Sequence, residues 1–355
     1  MPHLLVDISS HGFGHVAQTA PVVNELCRRV PDLRVTVRCG AQEAFLAQRF
    51  ECPFAHLPLA LDFGLVMANA VDVEAAESAA AYRAFHAGWE QRVEREALAM
   101  AVLAPDLVLA NVPYLSLAAA RLAEVPAVGL CSLNWADIAT PYCGGEAGWG
   151  EIRRQMLAAY NSAAAFLKIR PALPMADLAN DREIGPVARP GRRRREELAA
   201  TLGAKERLVL VAMGGMEFRL PMEAWPRLPG VRWLVPAAWN VARDDASSWE
   251  AAGLPFGDVL ASCDAVLTKP GYGTFAEAAC GGVPVLYAAR RDWPEEPHLV
   301  AWLRRHGACL EVERPRLETG ELGGLLKALW NLPRPAPPMP SGAVEAADYL
   351  ASFFA

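Results

Sequence analysis

Residues 264–284, DAVLTKPGYGTFAEAACGGVP, contain the most informative pattern of the chain. Residues 265–268 form a short apolar run typical of a buried strand, and a glycine-rich turn follows at Gly271 to Gly273. A helical pattern then begins, which we expect to be capped near Thr274. The start of a helix presents backbone N–H groups and a positive dipole end, both of which attract phosphate. This segment therefore predicts a site for a phosphate or diphosphate.

Glu277 follows the turn and is predicted to lie on the first turn of this helix. At that position its carboxylate can accept hydrogen bonds from sugar hydroxyls beside the phosphate. A second interpretation stays open, in which Glu277 only stabilises the positive end of the helix.

Short apolar runs alternate with helical patterns on both sides of this segment, as in parallel sheets covered by helices. Residues 74–104 predict one long helix, and residues 184–195, rich in Pro, Gly and Arg, predict a linker. We predict an α/β fold of two Rossmann-like domains that face each other across a ligand-binding cleft. The first comprises residues 1–183 with a terminal helix at 342–355, and the second comprises residues 196–341.

The composition of the 355 residues excludes several classes of protein. Apolar residues make up 53 % of the chain, and the formal net charge is −6, which argues against a nucleic-acid partner. The eight cysteines form no CxxC pair, which argues against a zinc site and a disulfide framework. No signal peptide or membrane-spanning run is recognisable, so we predict a cytoplasmic protein. Peripheral membrane contact stays open, through the arginines at 192–195.

A second glycine-rich segment, SSHGFGH at 9–15, follows the predicted strand at 4–8. Its glycines, Gly12 and Gly14, permit a tight turn, and the imidazole of His11 or His15 can accept a proton near neutral pH. The alternative is a tight turn with a helix-capping histidine. The segment lacks the third glycine and the acidic residue of a dinucleotide-binding fingerprint.

A third segment, RRDWPEEPH at 290–298, follows the predicted strand at 283–287. Arginines there can balance a leaving phosphate, and acidic side chains can hold sugar hydroxyls. The alternative is a charged, solvated loop. Three tryptophans predicted to lie in loops are candidates for sugar contacts: Trp135, Trp149 and Trp293.

Together these segments resemble nucleotide-sugar glycosyltransferases of the GT-B type. Residues 271–284 are similar to the donor signature of the family that forms lipid II from UDP-N-acetylglucosamine. HGFGH at 11–15, GYGT…EA at 271–278 and RRD…EEP at 290–297 resemble the glycosyltransferase-like N-terminal part of L-arabinokinases. The resemblance covers both halves of the chain in order. It implies an acceptor-binding first domain and a donor-binding second domain.

The resemblance also implies residue roles. His15, or failing it His11, would be the general base on the acceptor hydroxyl, and Asp137 is a candidate partner or acceptor contact. Asp137 is alternatively an acid of a surface loop. Glu277 would bind the donor ribose. The remaining donor-binding candidates are Gly12, Gly14, Gly214, Gly215, Phe256, Lys269, Gly271, Tyr272, Gly273, Thr274, Arg291, Asp292, Glu295 and Glu296.

The implied reaction moves a sugar, with inversion, from a nucleotide-diphospho-sugar to an acceptor hydroxyl. We expect no cofactor and no metal, because a DxD motif is missing and helix amides can take the role of the cation. The donor family usually has Asp-Gln where Glu295-Glu296 stands, so the resemblance does not fix the donor sugar. Two alternatives stay open: a non-catalytic nucleotide-sugar-binding module, and a nucleotide-sugar hydrolase or epimerase.

Overall fold

The computed structural model describes residues 1–69, 72–214, 219–290 and 292–355. Two predicted donor-binding residues, Gly215 and Arg291, lie outside this range. The chain divides into two compact units, the first formed by Met1–Val187 with Ser341–Ala355 and the second by Ala188–Pro340. The boundary at residues 187 and 188 falls within the segment for which the sequence predicts a linker. The acceptor and donor roles of the two domains stay predictions.

The first unit contains a parallel sheet whose strand order is β3-β2-β1-β4-β5-β6-β7. The order reverses between the first and fourth strands, so the chain leaves these two strands in opposite directions along the sheet. The strands are β1 (His3–Ile8), β2 (Arg34–Arg38), β3 (Ala55–Leu57), β4 (Leu107–Asn111), β5 (Ala127–Cys131), β6 (Ala165–Ile169) and β7 (Asp181–Ile184).

Helices cover this sheet, and the C-terminal helix packs against the first helix of the same unit. Every residue of β1 is buried, as expected for a parallel strand covered on both faces. The helices are α1 (Gly14–Arg29), α2 (Glu43–Ala47), α3 (Ala75–His86), α4 (Trp89–Leu103), α5 (Tyr114–Leu122), α6 (Trp135–Cys143), α7 (Trp149–Asn161) and, at the end of the chain, α14 (Gly342–Ala351).

The predicted helix over residues 74–104 was wrong as one element, because it is two helices. α3 ends at His86, and α4 begins after Gly88, whose φ of +69° lies in the left-handed region. A glycine adopts this conformation without the steric penalty of a Cβ atom, so the chain can turn there.

A buried ion network links α4 to the sheet. Both carboxylate oxygens of Asp7 on β1 accept hydrogen bonds from Arg38 on β2, at 2.6 and 2.7 Å, and Arg38 also contacts Glu96 on α4. Burial raises the pKa of Glu96 although Arg38 opposes that shift. These charges are hidden from water, and each is paired.

The second unit repeats the architecture with a parallel sheet of order β10-β9-β8-β11-β12-β13. Its strands are β8 (Arg207–Ala212), β9 (Val231–Val235), β10 (Ala246–Ser248), β11 (Ala265–Thr268), β12 (Val285–Ala288) and β13 (Cys309–Val312). Its α-helices are α8 (Arg195–Thr201), α9 (Phe256–Ser262), α10 (Tyr272–Cys280), α11 (Glu296–His306), α12 (Arg314–Thr319) and α13 (Gly323–Asn331).

An apolar core of strand and helix side chains stabilises the second unit. Trp233 of β9 is fully buried and packs edge-on against Trp225, with ring centroids 5.2 Å apart. Gly320 permits this packing, because a Cβ atom there would lie 2.2 Å from the Trp225 ring. Within the described residues, no helix has the length and hydropathy needed to cross a bilayer.

Candidate functional site

Each sheet has one point where its strand order reverses, between β1 and β4 in the first unit and between β8 and β11 in the second. In open parallel sheets, ligands bind beyond the carboxyl ends of the strands at such a point. The predicted histidines follow β1. Gly214 and Lys269 follow β8 and β11. Both candidate sites thus occupy the expected edges of their sheets.

The glycine-rich segment at residues 9–15 connects β1 to α1. Gly12 has a φ of +93°, which favours glycine, and its N–H donates to the Ser10 carbonyl at 2.8 Å in a tight turn. Gly14 is the first residue of α1, and space is open around its Cα. Because α1 begins at Gly14, His15 lies on its first turn and against the edge of the sheet.

His15 is buried, and its ring Nδ1 lies 2.8 Å from Oδ1 of Asn111, the last residue of β4. The Asn111 amide nitrogen donates to Gln18 Oε1 at 3.1 Å, which fixes the amide so that its oxygen faces the histidine. An amide oxygen only accepts, so this network assigns the proton to Nδ1 of His15. The Nε2 atom is then the proton-accepting nitrogen.

Burial lowers the pKa of His15 to about 4, and the hydrogen bond to Asn111 partly opposes this shift. The imidazole is therefore neutral at neutral pH. A neutral ring that carries its proton on Nδ1 can take a proton from a hydroxyl at Nε2. An anionic substrate beside the ring would raise this pKa.

His11 is half-buried and packs edge-on against Trp135, with ring centroids 5.1 Å apart. The Trp135 ring also lies 5.7 Å from the ring of His15. Trp135 begins α6 and is fully buried, so the prediction of a loop position for it was wrong. Trp149, the first residue of α7, is likewise a buried helical residue.

Asp62 is a buried acid of this cluster that the sequence analysis did not identify. Its carboxylate accepts hydrogen bonds from Ser9 Oγ at 2.8 Å and from Trp135 Nε1 at 2.7 Å. Burial raises the pKa of Asp62 to about 6, against the lowering effect of these hydrogen bonds. Asp62 thus contacts the glycine-rich segment through Ser9, and its pKa lies close to neutral pH.

Asp137 lies on α6 and not in a loop. Its backbone N–H donates to the Asn134 side chain at 2.8 Å, which caps the helix, and its carboxylate contacts Arg153 at 3.3 Å. Nδ1 of His15 contacts Asn111 and not Asp137. An acceptor contact by Asp137 stays a prediction.

In the second unit, Lys269 follows β11 and approaches the backbone at Gly214, which follows β8. A Cβ atom on Gly214 would lie 3.0 Å from Lys269 Cε, and Gly214 has a φ of +90°. Burial, with a smaller effect from the charge of Arg290, lowers the pKa of Lys269 to about 8. Two cations therefore lie near the strand ends of this sheet, which favours an anionic ligand.

The helix after β11 begins at Tyr272 with Gly271 as its N-cap, so the predicted cap near Thr274 was wrong. Gly273 and Thr274 lie inside the first turn, and Tyr272 is buried. Glu277 lies on the second turn and not on the first, and only 9 % of it is exposed. That position makes Glu277 a poor partner for the positive end of the helix, because such effects fall off within the first turn.

Of the segment at residues 290–298, the described residues 292–295 precede α11, and residues 296–298 form its start. The Arg290 guanidinium lies over the Trp293 ring at 3.9 Å, and the Arg290 N–H donates to Glu296. Trp293 Nε1 donates to Glu295 at 3.3 Å, and both glutamates are buried. Asp292 is exposed. Glu295 and Glu296 thus have contacts that shape the loop.

Phe256 is the first residue of α9 and is half-buried, with its ring 5.4 Å from Trp249. Within residues 1–69, 72–214, 219–290 and 292–355, no group of three or more His, Cys, Asp and Glu side chains is arranged to hold a metal ion.

Comparison with solved structures identifies the fold. The chain superposes on the calicheamicin glycosyltransferase CalG4 with a TM-score of 0.64 and 17 % identity, covering 100 % of this chain and 98 % of that one. Arabidopsis thaliana UGT89C1 complexed with UDP gives 0.58 and 16 % over 99 % and 100 % of the two chains. A putative UDP-N-acetylglucosamine 2-epimerase of Listeria monocytogenes gives 0.56 and 16 % over 99 % and 96 %. The chain has the GT-B fold of two Rossmann-like domains.

Among curated proteins, L-arabinokinase of Arabidopsis thaliana is 25 % identical over 321 residues, which is 88 % of this chain. The chain spans 31 % of the length of that relative. No family model matches the sequence.

Proposed function

We propose that the chain is a glycosyltransferase that moves a sugar from a nucleotide-diphospho-sugar to an acceptor hydroxyl. The observation that carries the proposal is the state of His15, a neutral imidazole with its proton on Nδ1 at the reversal point of the first sheet. A protein that only bound a nucleotide would need no such proton acceptor. His11 is the alternative base.

The proposal assigns the donor to the second unit. The first-turn N–H groups of α10, over Gly271 to Thr274, would hold the diphosphate together with Lys269. These groups would take the charge-balancing role of a metal ion, so the reaction would be metal-independent. Glu277, on the second turn of its nine-residue helix, would accept hydrogen bonds from the ribose hydroxyls. UDP is the first nucleotide to test, because the structurally similar Arabidopsis thaliana UGT89C1 is complexed with UDP.

The proposed chemical step is a direct displacement at the anomeric carbon of the donor sugar. The acceptor oxygen attacks the anomeric carbon while its proton passes to Nε2 of His15. The bond between that carbon and the diphosphate oxygen breaks, and its electron pair leaves with the diphosphate. Attack opposite the leaving group inverts the configuration. The N–H groups of α10 and the Lys269 ammonium stabilise the charge that develops on the diphosphate.

The decisive experiment measures sugar transfer from UDP-, dTDP- and GDP-sugars to a panel of hydroxyl acceptors. We expect His15→Ala to lower kcat by about 10³-fold, within the range of general-base catalysis, while UDP affinity changes less than about twofold. His56→Ala serves as the matched control, since His56 lies on β3 and contacts the Cys39 carbonyl. Retained turnover in His15→Ala would overturn the assignment of the base, and loss of turnover in His11→Ala would then move it to His11.

A second candidate function, a nucleotide-sugar hydrolase or 2-epimerase, is favoured by the structural likeness to the putative Listeria epimerase. Formation of free sugar or of an epimer without an acceptor would support it. Binding of nucleotide without turnover would instead support a non-catalytic module. The similarity to the lipid-II-forming family and a cytoplasmic location stay predictions.

A further inference from the structure

We infer that Asp62 is a positioning residue of the proposed transfer reaction, which anchors Trp135 and the glycine-rich segment so that His15 and His11 keep their orientation. The inference rests on the proposed function and adds a residue to it. Asp62 lies in the loop between β3 and α3, far from the histidines in sequence.

Both oxygens of the Asp62 carboxylate hold parts of the site. Oδ1 accepts from Ser9 Oγ at 2.8 Å, and the Ser9 hydroxyl oxygen in turn accepts from the His11 N–H at 3.3 Å. Oδ2 accepts from Trp135 Nε1 at 2.7 Å. Asp62 is only 7 % exposed, so water competes little for these bonds. One carboxylate therefore joins the end of β1 to the start of α6.

Trp135 transmits this anchor to both imidazoles. Its indole contacts both histidine rings, with centroids 5.1 Å from His11 and 5.7 Å from His15. The indole has a single N–H donor, and Asp62 accepts it. Loss of that acceptor would leave the indole N–H buried without its partner and allow the ring to turn. The positions of both imidazoles depend on this ring.

Gly64, two residues after Asp62, completes the arrangement. It has a φ of +67°, and a Cβ atom there would lie 2.8 Å from His11 and 2.8 Å from the Trp135 ring. The loop backbone thus packs against Trp135, which donates to the Asp62 carboxylate, and against His11, whose backbone N–H donates to the Ser9 hydroxyl. Two features of one short loop segment, a buried acceptor at Asp62 and a close backbone approach at Gly64, therefore both act on Trp135, whose ring contacts both histidines.

Burial of the Asp62 carboxylate disfavours its charged form and raises its pKa to about 6. The described groups that interact with its charge are Asp7 on β1, Cys39 after β2, Tyr82 on α3, Tyr114 on α5 and Tyr160 on α7. Burial raises the pKa values of the Cys39 thiol and of the three tyrosines above their ordinary values, which already lie well above pH 7. A titration near pH 6 at the indole would therefore report Asp62.

The experiment uses Asp62→Asn in the full chain, because the amide keeps the shape of the side chain and removes its titration. The amide has one acceptor oxygen where the carboxylate has two, so it cannot accept from both Ser9 and Trp135. We expect kcat to fall by about 10²-fold, the scale of a displacement of about 1 Å in a catalytic group, while UDP affinity stays within about twofold. Asp177→Asn is the matched control, since Asp177 is an exposed acid of the same unit that pairs with Arg153.

The Trp135 indole N–H signal, observed by NMR and assigned with Trp135→Phe, gives a readout besides activity. We expect its chemical shift to titrate with a midpoint near pH 6 in the unchanged chain and to lose that titration in Asp62→Asn. Wild-type kcat in Asp62→Asn, or an indole signal that titrates alike in both proteins, would overturn the inference. Absence of sugar transfer from every donor would overturn the proposed function, and with it the positioning role of Asp62 in transfer. A titrating indole signal would then still show the hydrogen bond between Asp62 and Trp135.

Discussion

Asp62 and His15 are expected to shift the stability of the protein in opposite directions as the pH falls. Burial raises the pKa of Asp62 from an ordinary 3.8 to about 6, so the folded protein binds this proton more readily than the unfolded chain. The Asp62 contribution to stability is therefore largest at low pH and is lost as the pH rises through 6. Burial lowers the pKa of His15 from 6.5 to about 4, so its contribution is present above pH 6.5 and is lost as the pH falls towards 4.

The magnitudes follow from proton linkage between these pKa values. From pH 7 to pH 4.5, the His15 contribution to the free energy of unfolding falls by about 2 kcal/mol, and the Asp62 contribution rises by about 2 kcal/mol. In the unchanged protein the two effects nearly cancel. Removing one group exposes the other, so two single substitutions should give pH dependences of opposite sign.

Urea denaturation of the unchanged protein, Asp62→Asn and His15→Gln at several pH values between 4.5 and 7 provides the assay. Relative to the unchanged protein, Asp62→Asn should lose about 2 kcal/mol as the pH falls from 7 to 4.5, and His15→Gln should gain about 2 kcal/mol. Comparison across pH removes the constant effect of each substitution on packing. Curves for both variants that run parallel to that of the unchanged protein would refute the burial-based pKa shifts.

Three further substitutions test the two sites. Lys269→Met should weaken UDP binding about tenfold at pH 7 in calorimetry. It should also remove the loss of UDP affinity expected near pH 8, where Lys269 gives up its charge. A UDP affinity that still falls near pH 8 in Lys269→Met would exclude Lys269 from the anion site. Asn111→Asp should raise the pKa of His15 by about one unit and move the acid limb of the kcat/KM profile to higher pH. An acid limb at an unchanged pH would show that this limb does not report the titration of His15. Gly64→Ala should lower both kcat and the free energy of unfolding, the latter by about 1–3 kcal/mol, because its Cβ would meet His11 and Trp135; wild-type values of both in kinetic and urea assays would contradict that packing.

The strands were the most predictable part of the fold. The prediction for residues 265–268 matches β11, and the run at 4–8 lies within β1, because strands buried on both faces are continuously apolar. The helix break at Gly88 was missed, since one glycine in an alanine-rich stretch is compatible with an unbroken helix. The start of α6 had a readable signal, an Asn at the N-cap with an acid three residues later.

The candidate site was predictable in part. The position of the histidines and the presence of a helix after β11 follow from glycine-rich turns after strands, a local pattern, although the predicted cap of that helix was wrong. Asn111 had a weaker signal, a polar residue at the end of a buried strand beside the reversal of strand order. Asp62 had none, because it is a single acid in an irregular loop, and its burial arises only when Ser9 and Trp135 come together from distant parts of the chain.

A crystal structure of the protein with UDP tests donor binding most directly. The diphosphate should lie within hydrogen-bond distance of the first-turn N–H groups of α10 and of Lys269 Nζ, with a ribose hydroxyl against Glu277. A diphosphate bound away from the residues 269–277 would contradict the proposed donor site.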